Sequence, residues 1–156
     1  MITKILLQLF AANLNQLAEE ISQYSSEEAI WKANDGIKNS GGNLCLHITG
    51  NLLYFIGSVL GETGYVRNRN AEFSLKNISR SKLLERIEDT KVVVNDTLEQ
   101  LSKKELESTF PQQVLEEPVS TQFFLVYLLN HLSYHLGQLN YHRRMTDVLV
   151  QVSEPS

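Results

Sequence analysis

The sequence predicts an all-α protein, built as a four-helix bundle with long connections. Four long segments carry apolar side chains at intervals of three or four residues, and serines precede several of them. Strand signals are weak, because the β-branched triplet at 92–94 lies inside a helical period. A length of 156 residues with 42% hydrophobic and 21% charged residues is typical of one soluble domain. We expect that domain to cover 1–150, followed by a frayed tail at 151–156.

The first predicted helix covers about 2–23. Its apolar stripe consists of Ile2, Ile5, Leu6, Leu9, Leu17 and Ile21, and the polar residues Glu19, Glu20 and Gln23 lie off that stripe. Ser25 and Glu28 then form a capping-box pattern, which predicts a short helix near 27–32. The Asn-Asp-Gly sequence at 34–36 ends this helix as a turn.

The second predicted helix covers about 42–61, with Asn39 or Ser40 as its cap. It is apolar on nearly all sides, which indicates a central, buried helix. His47 and Asn51 share one of its faces. Each would be a polar group inside the core, so each needs a hydrogen-bonding partner or a ligand.

The second half of the chain supplies the other two long helices. Residues 62–78 show no clear period and are predicted as a long crossover loop, and a helix over 80–101 follows behind a Ser79 cap. Ser102 and Glu105 form another capping-box pair. A connection at 110–119 contains two prolines, and the fourth helix covers about 120–146 behind a Ser120 cap.

Composition excludes several classes of function. The net charge is -4 and the basic residues form no stripe, so we expect no nucleic-acid partner. The single cysteine, Cys45, cannot form an internal disulfide, which favours a reducing, cytoplasmic location. No run reaches the ~18 uninterrupted apolar residues of a membrane span, and the N-terminus is typical of an amphipathic helix rather than a signal peptide.

Three histidines are the strongest functional signal. His131 and His135 are four residues apart on an apolar stripe, so their rings lie on one helix face, about 6 Å apart along the axis. His47 from the central helix would complete a three-nitrogen site for a divalent metal, with coordination positions left open. The alternative is a chance pair satisfied by hydrogen bonds. Unpaired buried imidazoles would cost about a few kcal/mol, which favours the metal.

Neighbouring residues have weaker signals. Asn51, Tyr127 and Gln138 share the faces of the predicted ligands, where they shape the open side of the site or satisfy nearby polar groups. His142 lies about 10.5 Å along the axis from His135, so it is expected beside the site or at the surface rather than as a ligand. Cys45 points away from His47 and is expected to be a buried, inert thiol.

Two arginines lie in the predicted crossover loop with Glu72 nearby. The default interpretation of Arg67 and Arg69 is a solvated loop with a local ion pair. The alternative is that one arginine reaches over the site and holds an anionic substrate.

The stretches GGNLCLHITGNLLYFI, RNRNAEF and LLNHLSYHLGQLNYHRR together resemble the DinB/YfiT-like metalloenzymes, in order and over nearly the whole chain. The most specific part is H-x-x-x-H-x-G-Q, here His131, His135, Gly137 and Gln138. The resemblance implies a four-helix bundle, often dimeric, with metal ligands at His47, His131 and His135. It also implies nickel, zinc or a related divalent ion, and relatives that transfer low-molecular-weight thiols such as bacillithiol or mycothiol.

Two functions follow as expectations. The first is a metal-dependent enzyme that transfers a thiol to a small electrophile in detoxification, with hydrolysis as the second reaction; the metal would lower the pKa of a bound thiol or water. The second is a non-catalytic metal-binding or stress-response module. An enzyme site keeps open coordination positions facing a pocket, whereas a structural site is closed by a fourth protein ligand. In either case we expect a homodimer.

Overall fold

The structure, a computed structural model, describes residues 2–153, and side chains up to residue 148. The helices are α1 (Ile2–Gln23), α2 (Glu27–Ile30), α3 (Gly41–Leu52), α4 (Arg69–Ser74), α5 (Arg80–Gln100), α6 (Lys103–Glu107) and α7 (Thr121–Ser153), and a π-helical segment (Leu53–Leu60) extends α3. The four long helices α1, α3, α5 and α7 form the bundle, and no strand occurs among the described residues. The predicted all-α fold is confirmed.

Helix α3 is the central element, as its composition predicts. Every residue from Gly41 to Leu52 is buried, and the helix packs against α4, α5 and α7. The segment Gly41–Leu60 is long and apolar enough to cross a membrane, but 67% of its most apolar window is buried in the bundle. That burial is typical of a core helix.

Serine caps define where most helices begin. Ser40 accepts a hydrogen bond from the Asn43 amide, Ser79 accepts one from Lys82, and Ser102 forms a full capping box with Glu105. The predicted cap of α2 is wrong by one residue. Ser26 caps α2, whereas the Ser25 amide donates to the Asp147 carboxylate on α7.

The buried stripe of α1 differs from the predicted one. Leu6, Phe10, Leu14, Leu17 and Ile21 form a continuous buried row, whereas the side chains of Ile5 and Leu9 are half exposed. The reason is that α1 packs against both α5 and α7, and this row faces the line between those two helices. The row through Ile5 and Leu9 continues into the polar residues Asn13 and Gln16 and faces outward.

Two predicted segments have a different local structure. The second helix does not stay α-helical to residue 61, because from Leu53 onward its hydrogen bonds span five residues, as between the Gly61 amide and the Ile56 carbonyl, 2.9 Å apart. The predicted loop at 62–78 contains α4, which begins behind an Asn68 cap. Both segments border the site described below.

Helix α7 continues to Ser153, well beyond its predicted end near 146. No glycine or proline interrupts the chain between these positions, so nothing ends the helix earlier. The helix thus includes residues 151–153 of the predicted frayed tail. The rest of that tail, residues 154–156, lies outside the described residues.

Glu20 of α1, predicted to lie on the polar face, is instead buried against α7. Its carboxylate accepts hydrogen bonds from Arg143 at 2.6 Å, from Asn140 at 2.6 Å and from Gln16 at 3.1 Å. Burial by itself would raise the pKa of Glu20, but these hydrogen bonds and the Arg143 charge outweigh it, so the pKa is lowered. The ion pair therefore fixes α1 to α7 while Glu20 is ionised.

We expect Glu20→Gln to lower the free energy of unfolding by about 2 kcal/mol at pH 7, because it leaves the largely buried Arg143 charge with only its longer contact to Asp147, at 3.6 Å. The loss should shrink as the pH falls below the usual carboxyl pKa, since the folded-state pKa is depressed and protonation removes the same ion pair. Urea unfolding between pH 7 and pH 3 measures both. The control is Glu85→Gln, which removes an exposed ion pair with Lys82 and should cost about 0.5 kcal/mol or less.

Candidate metal centre

Three imidazole rings from two helices converge on one point. His131 and His135 project from the same face of α7, and His47 faces them from α3. The Nε2 atom of His131 lies 3.2 Å from Nε2 of His47 and 3.1 Å from Nε2 of His135. All three nitrogens lie within 4.8 Å of one another, as the spacing in the sequence predicts.

The nitrogen separations match those of ligands on a single ion. Zinc–nitrogen bonds of about 2.0–2.1 Å place neighbouring ligand atoms about 3.4 Å apart in tetrahedral geometry and about 3.0 Å apart at adjacent octahedral positions. The observed 3.1 and 3.2 Å fall between these two values. Two of the three separations therefore fit a shared divalent metal, and the ligand atoms of the third pair, His47 and His135, lie within 4.8 Å of each other.

Hydrogen bonds on the far side of two rings aim their lone pairs at the centre. Nδ1 of His47 donates to Glu72 Oε1 at 3.0 Å, and Nδ1 of His135 donates to Gln138 Oε1 at 2.7 Å. With the proton fixed on Nδ1, the Nε2 atom of each ring carries the lone pair. Gln138, predicted to lie beside the site, thus orients His135, one ring of the candidate centre.

The third ring cannot satisfy both of these lone pairs. Burial, followed by the charges of His135, His47, Arg67 and Arg69, lowers the pKa of His131 to about 4, so the ring is neutral at pH 7. A neutral imidazole has one N–H group and can donate to only one of the two facing nitrogens. One acceptor at the site is left without a partner among the described residues, and a cation at this point would bind it.

Glu72 completes the support of His47, and sequence reasoning missed this role. Its carboxylate receives two hydrogen bonds of 2.9 Å from Arg67, one from Nε and one from the terminal nitrogen, besides the one from His47. Burial acts to raise the pKa of Glu72, but the bonds from His47 and Arg67 outweigh it and lower the pKa. The ion pair was expected in a solvated loop, yet its side chains are only 13% and 4% exposed.

Gly50 explains how Glu72 comes so close to α3. A Cβ atom at position 50 would lie 2.1 Å from the Oε2 atom of Glu72, inside any allowed contact. Because Gly50 is three residues beyond His47, it lies on the same side of α3. The glycine leaves the space that the carboxylate of Glu72 occupies.

An open cavity of about 500 Å³ lies against the three histidines. Its walls include Asn51, Phe55, Arg67, Arg69, Phe73, Phe124 and Tyr127. The structure therefore brings Asn51, Tyr127 and both arginines to the site. The Oδ1 atom of Asn51 is buried and has no hydrogen-bond partner among the described residues.

Residues 4–148 match the family described as "Protein of unknown function (DUF1572)". The chain belongs to the DUF1572 family. Among curated proteins, no sequence matches it significantly.

Two solved structures share the fold of this DUF1572 chain. A conserved protein from Enterococcus faecalis is 17% identical, with a TM-score of 0.75, over 92% of this chain and 96% of that one. A DinB-like protein from Bacillus cereus is 16% identical, with a TM-score of 0.69, over 91% of each chain. These similarities show that the chain has a DinB-like helical fold.

His142 has a different place from the predicted one. It is 2% exposed, on the inner side of α7, where Nδ1 accepts from the Tyr24 hydroxyl at 2.7 Å and Nε2 donates to the Lys32 carbonyl at 2.8 Å. It is therefore neither beside the metal centre nor at the surface, because Tyr24 and α2 cover it. Cys45 is fully buried, and burial raises its pKa to about 12, as expected for an inert thiol.

We expect Gly50→Ala to weaken metal binding by about 10- to 100-fold, because the new methyl group displaces the Glu72 carboxylate that orients His47. Glu72→Gln should have a similar effect. Titration with zinc in competition with a chelator measures the affinity. The control is Gly137→Ala, since a Cβ there contacts nothing within 4 Å and metal affinity should be unchanged. Equal affinities for the two alanine variants would contradict the proposed role of Glu72.

We expect His142→Ala to keep the metal affinity of the wild type but to lower the free energy of unfolding by about 3 kcal/mol. The substitution leaves a cavity and removes the partner of the buried Tyr24 hydroxyl. Urea unfolding and metal titration separate the two effects. Loss of metal binding in this variant, with binding retained in His47→Ala, would show that the ligand set is wrong.

Proposed function

We propose that the protein is a divalent-metal-dependent enzyme that acts on a small molecule, with His47, His131 and His135 as the metal ligands. The observation that carries the proposal is an open three-histidine group. Among the described residues no carboxylate or thiol joins that group, and the cavity borders it directly. Open positions facing a cavity are typical of catalytic sites, whereas structural sites are closed by a fourth ligand.

The residues of the chain have separable roles in this proposal. Glu72 and Gln138 hold two ligand rings in the required tautomer, and Arg67 holds Glu72. Phe55, Phe73 and Phe124 form apolar parts of the cavity wall next to the centre. A bound nickel or zinc ion would act as a Lewis acid and lower the pKa of a coordinated thiol or water.

The reaction we propose is transfer of a low-molecular-weight thiol to an electrophilic small molecule, as in detoxification. The support for a thiol is the resemblance of the sequence to the DinB/YfiT-like metalloenzymes. The support for a metal-centred reaction is the cavity lining, in which the described residues include no carboxylate, lysine or cysteine that would serve as a general base. Hydrolysis is the second reaction class.

The alternative is a non-catalytic metal-binding or stress-response module in the cytoplasm. It predicts metal binding without turnover. The open cavity favours the enzyme, since a purely structural ion has no need of adjacent space for a substrate.

The homodimer also stays a prediction. The outer face of α7 exposes large apolar side chains, among them Phe123, Tyr134, Tyr141 and Val148, each more than half exposed. Such a face favours contact with another protein surface. Sedimentation equilibrium of the purified chain tests for the dimer.

We expect protein purified without chelators to contain about one divalent ion per chain, measured by atomic emission. His131→Ala and His135→Ala should each lose the ion. A panel of electrophiles with several thiols should reveal turnover that the wild type supports and both variants lack. Folded wild-type protein that stays metal-free in excess nickel or zinc would contradict the proposal. Bound metal without turnover on any thiol or hydrolytic substrate would favour the module.

A further inference from the structure

We infer that the cavity beside the histidines binds a small molecule with a carboxylate on a flat apolar body, and that Arg69 is the residue that holds the carboxylate. Asn51 would accept a hydrogen bond from a second polar group of the same molecule. The inference rests on the proposed function, because it names the substrate class of that site.

The charged residues that line the cavity are positive, whereas the net charge of the whole chain is negative. The protein carries a net charge of -4, yet the cavity lining includes two arginines and no aspartate or glutamate. Arg67 is neutralised by Glu72, to which it donates two hydrogen bonds. Arg69 forms no ion pair within the described part of the chain. Its uncompensated charge at the cavity attracts an anion.

Arg69 is held in an orientation suited to a carboxylate. Its guanidinium carbon lies 5.3 Å from the centroid of the Phe73 ring, and Phe73 in turn contacts the His47 ring at a centroid distance of 4.8 Å. Arg69 is exposed and forms no ion pair with any described residue, so its N–H groups are available for two parallel hydrogen bonds to a carboxylate. Phe73 thus ties the arginine to the wall of the metal centre.

Aromatic rings on the other wall fit a flat apolar body. Phe124 lies 5.2 Å from Phe55 and 5.6 Å from Tyr127 between ring centroids, and the planes of Phe124 and Tyr127 are 21° apart. Phe124 is buried and supports Tyr127, whose side chain is 39% exposed and lines the cavity, so Tyr127 provides an aromatic surface on which a planar group can stack. The cavity volume of about 500 Å³ is within the range of small-molecule sites.

Asn51 adds a polar requirement. Its Oδ1 atom is buried without a partner among the described residues, on a side chain that lines the cavity. The atom has almost no exposed surface as it stands, but rotation of the side-chain amide would turn it toward the cavity. An unpartnered buried acceptor is costly, so this rotation is favoured when a ligand offers an O–H or N–H group there. Carboxylate, planar body and donor together describe a hydroxy- or amino-substituted aromatic acid.

The test uses 4-hydroxybenzoate as a probe and isothermal titration of the full chain. We expect binding to the wild type, about tenfold weaker binding to Arg69→Gln, and unchanged binding to Arg144→Gln. Arg144 is a matched control, because it also lies over an aromatic ring, Tyr141 at 5.4 Å, but does not line this cavity. The neutral probe 4-hydroxybenzamide should bind the wild type and Arg69→Gln equally weakly.

Two further measurements separate the parts of the inference. Asn51→Leu should reduce the preference for 4-hydroxybenzoate over benzoate without changing the effect of Arg69→Gln. Titrations repeated after removal of metal with a chelator should keep the Arg69 dependence, so that failure of the metal proposal would leave this result standing. Absence of measurable binding to the wild type, or equal affinity of Arg69→Gln and wild type, would overturn the inference.

Discussion

The hydrogen bond between His47 and Glu72 is the constraint on which the site depends. His47 belongs to a helix whose every residue is buried, so both of its ring nitrogens need partners inside the protein. Glu72 accepts from Nδ1, and this fixes the lone pair of Nε2 toward α7. Glu72 itself would be an isolated buried charge without Arg67. The three residues therefore form one unit in which each member requires the next.

This unit also connects the fold to the site. Glu72 belongs to α4 and Arg67 to the segment just before it, so the connection between the second and third long helices positions His47 of the candidate metal centre. The other two histidines come from α7 and need only the regular helix. Two of the three rings are thus placed by helix geometry, and the third is oriented by a long connection that packs against α3.

The sequence predicts what is local and periodic. The four-residue spacing of His131 and His135 is enough to place both rings on one face, and serines such as Ser79 and Ser102 identify the starts of their helices. The burial of α3 follows from its composition. The contact between His47 and the histidines of α7 is also predictable, because a buried polar ring needs a partner.

The features that the sequence does not predict are contacts between helices that are far apart along the chain. Glu72 has an arginine five residues away, which suggests only a local ion pair; its contact with His47 depends on the space left by Gly50, on another helix. Glu20 and His142 have ordinary surface-type neighbours in sequence, yet the packing of α1 and α2 against α7 buries both. On α1 the stripe predicted from the sequence mixes residues of two rows, and packing against α5 and α7 buries the row from Leu6 to Ile21.

The π-helical segment has a consequence for how such a cavity can diversify. Each of its turns contains more residues than an α-helical turn, so Phe55 and every later side chain are rotated relative to a regular continuation of α3. Deletion of one residue at the start of this segment, before Phe55, would rotate Phe55 away from the cavity, while His47, earlier in α3, would keep its place. Changes of length rather than of side chain can therefore give related proteins new ligand preferences around an unaltered set of imidazoles.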